Sequence, residues 1–70
     1  MDSANIMLEK VGMSQTQIES TLTVLQHFTW RYIGRYEEMH DKAPNNHAIA
    51  QFQSGFLTAF TVAWKEVNGE

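Results

Sequence analysis

The chain has a single proline, Pro44, and no proline interrupts the long segment before it. Two short stretches are rich in residues that end helices, namely Gly12-Met13-Ser14 and residues 41–46 with the sequence DKAPNN. Each interval between these stretches can continue as one helix, because proline and glycine are the strongest helix breakers. The sequence therefore predicts three helices, at about 4–11, 15–40 and 46–67.

The predicted helices begin at different kinds of capping residue. Ser14 and Gln17 have the spacing of a capping box, in which each side chain accepts a hydrogen bond from the backbone N–H of the other. Asn45 or Asn46 is the expected N-cap of the third helix. The first helix has the weakest pattern: Asp2 or Ser3 could cap it, Gly12 could end it, and its apolar residues form no clean stripe.

The second predicted helix carries a stripe of apolar side chains at intervals of three and four residues, which is typical of helical bundles. The stripe consists of Ile18, Leu22, Leu25, Tyr32, Tyr36 and Met39, with Thr29 in its one gap. The third helix is apolar over more than half of its circumference. Its aromatic row, Phe52, Phe56, Phe60 and Trp64, is expected in the core; alternatively, the row lines a groove that binds an amphipathic helix of a partner. The sequence therefore predicts an all-α fold, with residues 15–40 and 46–67 as an antiparallel helical hairpin and the short first helix across one end.

The small size of the chain favours self-association. Its 70 residues form one domain, 1–70, which buries only about 60% of the surface that the unfolded chain exposes. Small domains usually need disulfides, a metal or oligomerisation, and the absence of cysteine excludes disulfides. We expect two hairpins to pair as a homodimeric four-helix bundle. The alternative is a three-helix monomer in which the first helix covers the surplus apolar surface.

Charge and motifs exclude several classes of protein. A net charge of −3 argues against a general nucleic-acid binder. No basic start precedes an apolar run, and no apolar stretch reaches the roughly 20 residues that cross a bilayer, so we expect a cytoplasmic protein without a membrane partner. The sequence has neither a glycine-rich phosphate loop nor a Ser/His/Asp arrangement that can be placed together, so we expect no enzyme and no cofactor.

One group of residues on the second helix points away from the apolar stripe. The group consists of Trp30, Arg31, Gly34 and Arg35, with His27 and Glu38 at its rim. Trp30 and Gly34 are four residues apart, so a bulky ring lies beside a position without a side chain. Tryptophan and arginine are enriched at the binding hot spots of protein interfaces. This group is the predicted docking face for a protein partner; alternatively, Trp30 packs against the first helix.

Two further interpretations remain open from the sequence. Glu37 and His40 have the Glu-x-x-His spacing of metal-binding helical bundles, and His47 follows across the loop, so a metal or small ligand could bind there. Arg31 and Arg35 could contact phosphates beside an aromatic ring, as in single-strand nucleic-acid binders. The size, the acidity and the helical hairpin resemble those of small regulatory proteins that bind one larger target, which favours the docking interpretation.

Overall fold

The computed structural model describes residues 2–69. This range contains the helices α1 (Asp2–Lys10), α2 (Gln15–His40) and α3 (Asn46–Val67), and all of its regular secondary structure is helical. The prediction of an all-α fold is therefore confirmed. The bounds of α2 and α3 agree with the predicted ranges, whereas α1 begins earlier than expected, so that Ser3 lies inside the helix and is not its N-cap.

The two long helices begin at the predicted caps. Ser14 Oγ accepts a hydrogen bond from the backbone N–H of Gln17 at 3.2 Å, and Gln17 Oε1 accepts one from the backbone N–H of Ser14 at 2.8 Å. Asn45 Oδ1 accepts from the backbone N–H of Ala48 at 2.8 Å. Each cap stabilises its helix by about 1 kcal/mol and fixes the residue at which the helix begins.

A Schellman motif ends α1. The backbone N–H of Gly12 donates to the carbonyl oxygen of Glu9 at 3.0 Å, and that of Met13 donates to the carbonyl oxygen of Leu8 at 3.3 Å. Gly12 has a φ of 91°, a left-handed conformation that favours glycine. The motif turns the chain from α1 into α2 and places Met13 and Leu8 together in the core.

The core lies at one end of an elongated molecule of 42 × 22 × 17 Å. Its buried apolar residues are Ala4, Leu8, Met13, Ile18, Leu25 and Leu57. Partly buried side chains packed against them are Met7, Val11, Leu22, Phe56, Phe60 and Trp64. The core thus draws on α1, the first half of α2 and the middle of α3. Towards the α2–α3 loop most apolar side chains are only half-buried, although Pro44 in the loop is buried.

The apolar stripe of α2 is buried only as far as this core extends. Ile18, Leu25 and Thr29 are buried, as the spacing predicts. Met39 is 73% exposed, so its predicted place in the core is wrong. Met39 continues the apolar pattern along α2, but it lies near the end of the helix, where the residues that form the core do not cover it.

Threonines take core positions that the apolar pattern does not mark. Thr21 and Thr61 are buried. The hydroxyl of Thr21 donates to the carbonyl oxygen of Gln17 at 2.8 Å, and that of Thr61 donates to the carbonyl oxygen of Thr58 at 2.9 Å. A threonine can enter the core because its own helix satisfies its hydroxyl group.

Aromatic side chains connect α2 to α3 beyond the core. The rings of Tyr32 and Phe52 stack with centroids 4.7 Å apart and planes 5° apart. The rings of Phe28 and Phe56 have centroids 5.9 Å apart. Aromatic pairs of this kind contribute about 0.5–1.5 kcal/mol beyond the burial of their surface. These contacts hold the middle of α2, which carries the predicted docking residues, against α3.

Candidate docking surface on α2

The predicted docking face lies on the outside of α2. Trp30 is 68% exposed, and Arg31 and Arg35 are also exposed. The rim residues His27 and Glu38 are exposed as well. The structure does not place Trp30 against α1, so the alternative in which the first helix covers this ring does not describe the fold.

Gly34 leaves an open space beside the Trp30 ring. Among the described residues, a Cβ atom at Gly34 would meet no atom within 4 Å beyond its own stretch of helix backbone. A glycine inside a helix costs about 1 kcal/mol relative to alanine. Packing inside the chain gives no compensation for this cost, so the space beside Trp30 is a feature of the surface.

The charges of the docking face are mixed. Arg31 and Arg35 lie four residues apart and share one side of α2. Glu38, also exposed, follows Arg35 after three residues on the same side. A face that mixes both signs differs from the continuous basic patch that marks a nucleic-acid interface.

The residues of the metal hypothesis do not form a site. Glu37, His40 and His47 are all exposed, and the His40 ring lies against the Tyr36 ring with centroids 4.4 Å apart. In the part of the chain that the structure describes, no three His, Cys, Asp or Glu side chains are close enough together to hold a metal ion.

A groove between α1 and α3 has a volume of about 460 Å³. Its floor includes Met7, Val11 and Thr61, and its charged lining residues are Lys10 and Lys65. No helix within residues 2–69 combines the length and apolar character needed to cross a bilayer.

A second apolar surface includes phenylalanines of the aromatic row on α3, and α2 adds two side chains that the sequence did not mark. Val24 is 39% exposed and Phe28 is 42% exposed. Phe28 lies beside the half-buried Phe56 of α3, and Val24 lies one turn before Phe28 on α2. The rings of Phe56 and Phe60 have centroids 6.1 Å apart, and Phe28 contacts Phe56. We call Val24, Phe28, Phe52, Phe56 and Phe60 the phenylalanine face.

Phe56 and Phe60 of the phenylalanine face pack against the core along one edge, and their row on α3 extends to one side of the residues that border α1. The N-terminal turns of α1 border α3 at Ala50, Ser54 and Leu57, and its last turn borders Thr58 and Thr61. A helix turns by about 100° per residue, so Phe56 and Phe60 extend to the other side of the Leu57 position. The four-residue spacing of the phenylalanines marks this surface in the sequence, but it does not reveal which side α1 leaves uncovered.

No protein-family model matches the chain, and neither a curated protein nor a solved structure does.

Proposed function

We propose that this protein is a small non-enzymatic interaction module, acting as a homodimer, that docks onto a larger protein through the outward face of α2. The observation that carries the proposal is the 68% exposure of Trp30 on a well-formed helix. A single exposed apolar side chain is common on protein surfaces. Trp30 differs because Gly34 provides open space beside it and two exposed arginines lie on the same helix.

Trp30 is the apolar anchor of the proposed docking face. An aromatic side chain buries about 150–250 Å² when it is fully covered. With two thirds of that area exposed in the free chain, covering it contributes about 2.5–4 kcal/mol at 25 cal/mol per Å². A tryptophan on a rigid helix loses little conformational entropy on binding, so most of this energy is available to the complex.

Arg31 and Arg35 supply direction and specificity. Guanidinium groups form paired, charge-assisted hydrogen bonds with carboxylates in a fixed geometry. We therefore infer that the target presents an apolar pocket bordered by acidic side chains. Gly34 allows the target backbone to approach α2 closely beside the indole ring.

We infer that α2 and α3 form the antiparallel hairpin that presents this face. Two contacts support the inference: Tyr32 of α2 stacks on Phe52 of α3, and Gln53 Nε2 donates to Thr29 Oγ1 at 3.2 Å. Lower residue numbers of α2 thus pair with higher numbers of α3, which is the order of an antiparallel pair. The homodimer is supported by the small core, in which Leu8 and Ile18 are the largest fully buried side chains among the described residues.

Affinity capture from the native host tests the docking proposal. Immobilised wild-type protein is compared with Trp30→Ala and with Met39→Ala, a matched control that removes another exposed apolar side chain from α2. We expect wild type and Met39→Ala to retain the same host protein, and Trp30→Ala to lose it by about 30-fold or more. Equal retention by a folded Trp30→Ala variant would contradict the proposal.

A further inference from the structure

We propose that a second copy of this chain binds the phenylalanine face, so that a two-fold dimer buries Val24, Phe28, Phe56 and Phe60. This inference rests on the homodimer proposed above, and it identifies the surface through which the two copies associate. Trp30 is two residues from Phe28, and the turn of about 100° per residue places the two side chains on nearly opposite sides of α2. The dimer therefore leaves both Trp30 side chains available to a target.

The exposure of the face is unusual for its composition. Val24 and Phe28 are 39% and 42% exposed although they lie beside one another on α2. Phe56, which contacts Phe28, and Phe60 are only half-buried on α3. The rings of Phe28, Phe56 and Phe60 thus form one continuous apolar surface, and its inner edge packs against the core.

The accessible area of the chain is larger than the area expected for a monomer of its mass, which favours a second subunit. It is 5192 Å² for a mass of 8.0 kDa. The scaling for monomeric proteins gives about 4,450 Å² at this mass, so the chain exposes roughly 700 Å² more than expected. A stable interface of standard size buries about 800 Å² on each partner. The surplus, to which the elongated shape contributes, leaves enough surface for one such interface.

The chemistry of the face favours an identical partner. Its five residues carry no charge, so two copies can meet there although each chain has a net charge of −3. The exposed Ala59 and Ala63 beside the rings of α3 allow two helices to approach closely. A two-fold interface needs one surface that complements itself, and rings that pack against rings meet this requirement.

Light scattering after size-exclusion chromatography tests the assignment. At about 100 μM, well above a dissociation constant of about 1 μM, we expect wild type to have twice the 8.0 kDa mass of the chain. Val24→Glu should weaken dimerisation by about a hundredfold or more, because it buries an unpaired carboxylate. Val62→Glu is the matched control: Val62 is 52% exposed, and it lies two residues from Phe60, on nearly the opposite side of α3.

The outcomes distinguish this assignment from the docking proposal. A wild-type mass of 8.0 kDa overturns the dimer, whereas the capture comparison of Trp30→Ala with Met39→Ala still tests docking by the monomer. A mass above that of a dimer also overturns it, because a two-fold face closes at two copies. A dimer that Val24→Glu and Val62→Glu affect equally places the interface elsewhere.

A milder pair of variants keeps the test valid if Val24→Glu unfolds the chain. The sequence has no cysteine, so Val24→Cys and Val62→Cys each introduce a single thiol. With a short bis-maleimide linker, we expect Val24→Cys to form cross-linked dimers at a concentration at which Val62→Cys stays uncross-linked. Equal cross-linking of the two variants overturns the proposal.

Discussion

The indole Nε1–H of Trp64 donates a hydrogen bond to the backbone carbonyl oxygen of Val11 at 3.0 Å, across 53 residues of sequence. Val11 follows the last residue of α1, so its carbonyl group is among those that a helix end leaves without an intrahelical partner. Trp64 therefore completes the end of α1 and ties the last turns of α3 to the α1–α2 connection.

The first prediction concerns this bond. Trp64→Phe keeps an aromatic ring but removes the donor, and it should lower the free energy of unfolding by about 1–3 kcal/mol because a partly buried carbonyl group loses its partner. Urea denaturation followed by circular dichroism measures the change. The control is Trp30→Phe at the exposed tryptophan, which should change stability by no more than about 0.5 kcal/mol. Equal effects of the two substitutions would contradict the different roles assigned to the two rings.

The second prediction concerns the turn after α1. Gly12 has a φ of 91°, so Gly12→Ala should destabilise the fold by about 1–2 kcal/mol, the cost of a left-handed conformation for a residue with a Cβ atom. Gly55→Ala is the matched control, because Gly55 lies inside α3 with open space around it. That substitution should stabilise the fold by about 0.5–1 kcal/mol. Thermal unfolding of both variants checks the opposite signs.

The third prediction separates stability from docking at Gly34. A Cβ atom at this position meets no neighbour within the described chain, so Gly34→Ala should raise the free energy of unfolding by about 0.5–1 kcal/mol. The same methyl group fills the space beside Trp30 and should reduce retention of the target in the capture experiment. A variant that is more stable and binds the target as well as wild type would remove Gly34 from the docking face.

The fourth prediction concerns Asn5 on α1. Its side-chain oxygen is buried and has no hydrogen-bond partner among the described residues. A buried acceptor without a partner costs about 1–3 kcal/mol, so Asn5→Leu, which has a similar shape and no polar atoms, should stabilise the fold by about 1 kcal/mol. Chemical denaturation measures the effect. If the variant is less stable than wild type by a similar amount, the Asn5 amide has a stabilising role that its surroundings do not explain.

Local signals were sufficient to predict the helices. The Ser14–Gln17 capping box and the Asn45 cap depend on residues three apart in the sequence, and both form as predicted. The outward position of Trp30 also follows from its angle on a single helix. Each of these features depends only on residues within one helix. They can therefore be predicted from the sequence without knowing how the helices pack.

Features that depend on coverage by other elements could not be predicted. Met39 has the correct spacing for the core but lies beyond the packed end of α2. Thr21 can be buried because its hydroxyl group donates a hydrogen bond to its own helix. A search for apolar residues at helical spacing does not find such a position, because threonine counts as polar. The phenylalanines of α3 were expected in the core and are half-buried, because the side on which α1 lies is decided by the three-dimensional path of the chain.

The location of the core at one end of the 42 Å molecule implies a gradient of local stability along its long axis. We expect backbone amides near Leu8 and Ile18, which are fully buried, to exchange their hydrogens more slowly than those near the α2–α3 loop, where fraying of the adjacent turns can release them. The proposed docking residues lie on α2 between the core and the α2–α3 loop. A target that binds at Trp30 and Arg35 would slow hydrogen exchange towards the loop more than within the core, and so would extend the cooperative part of the fold along α2.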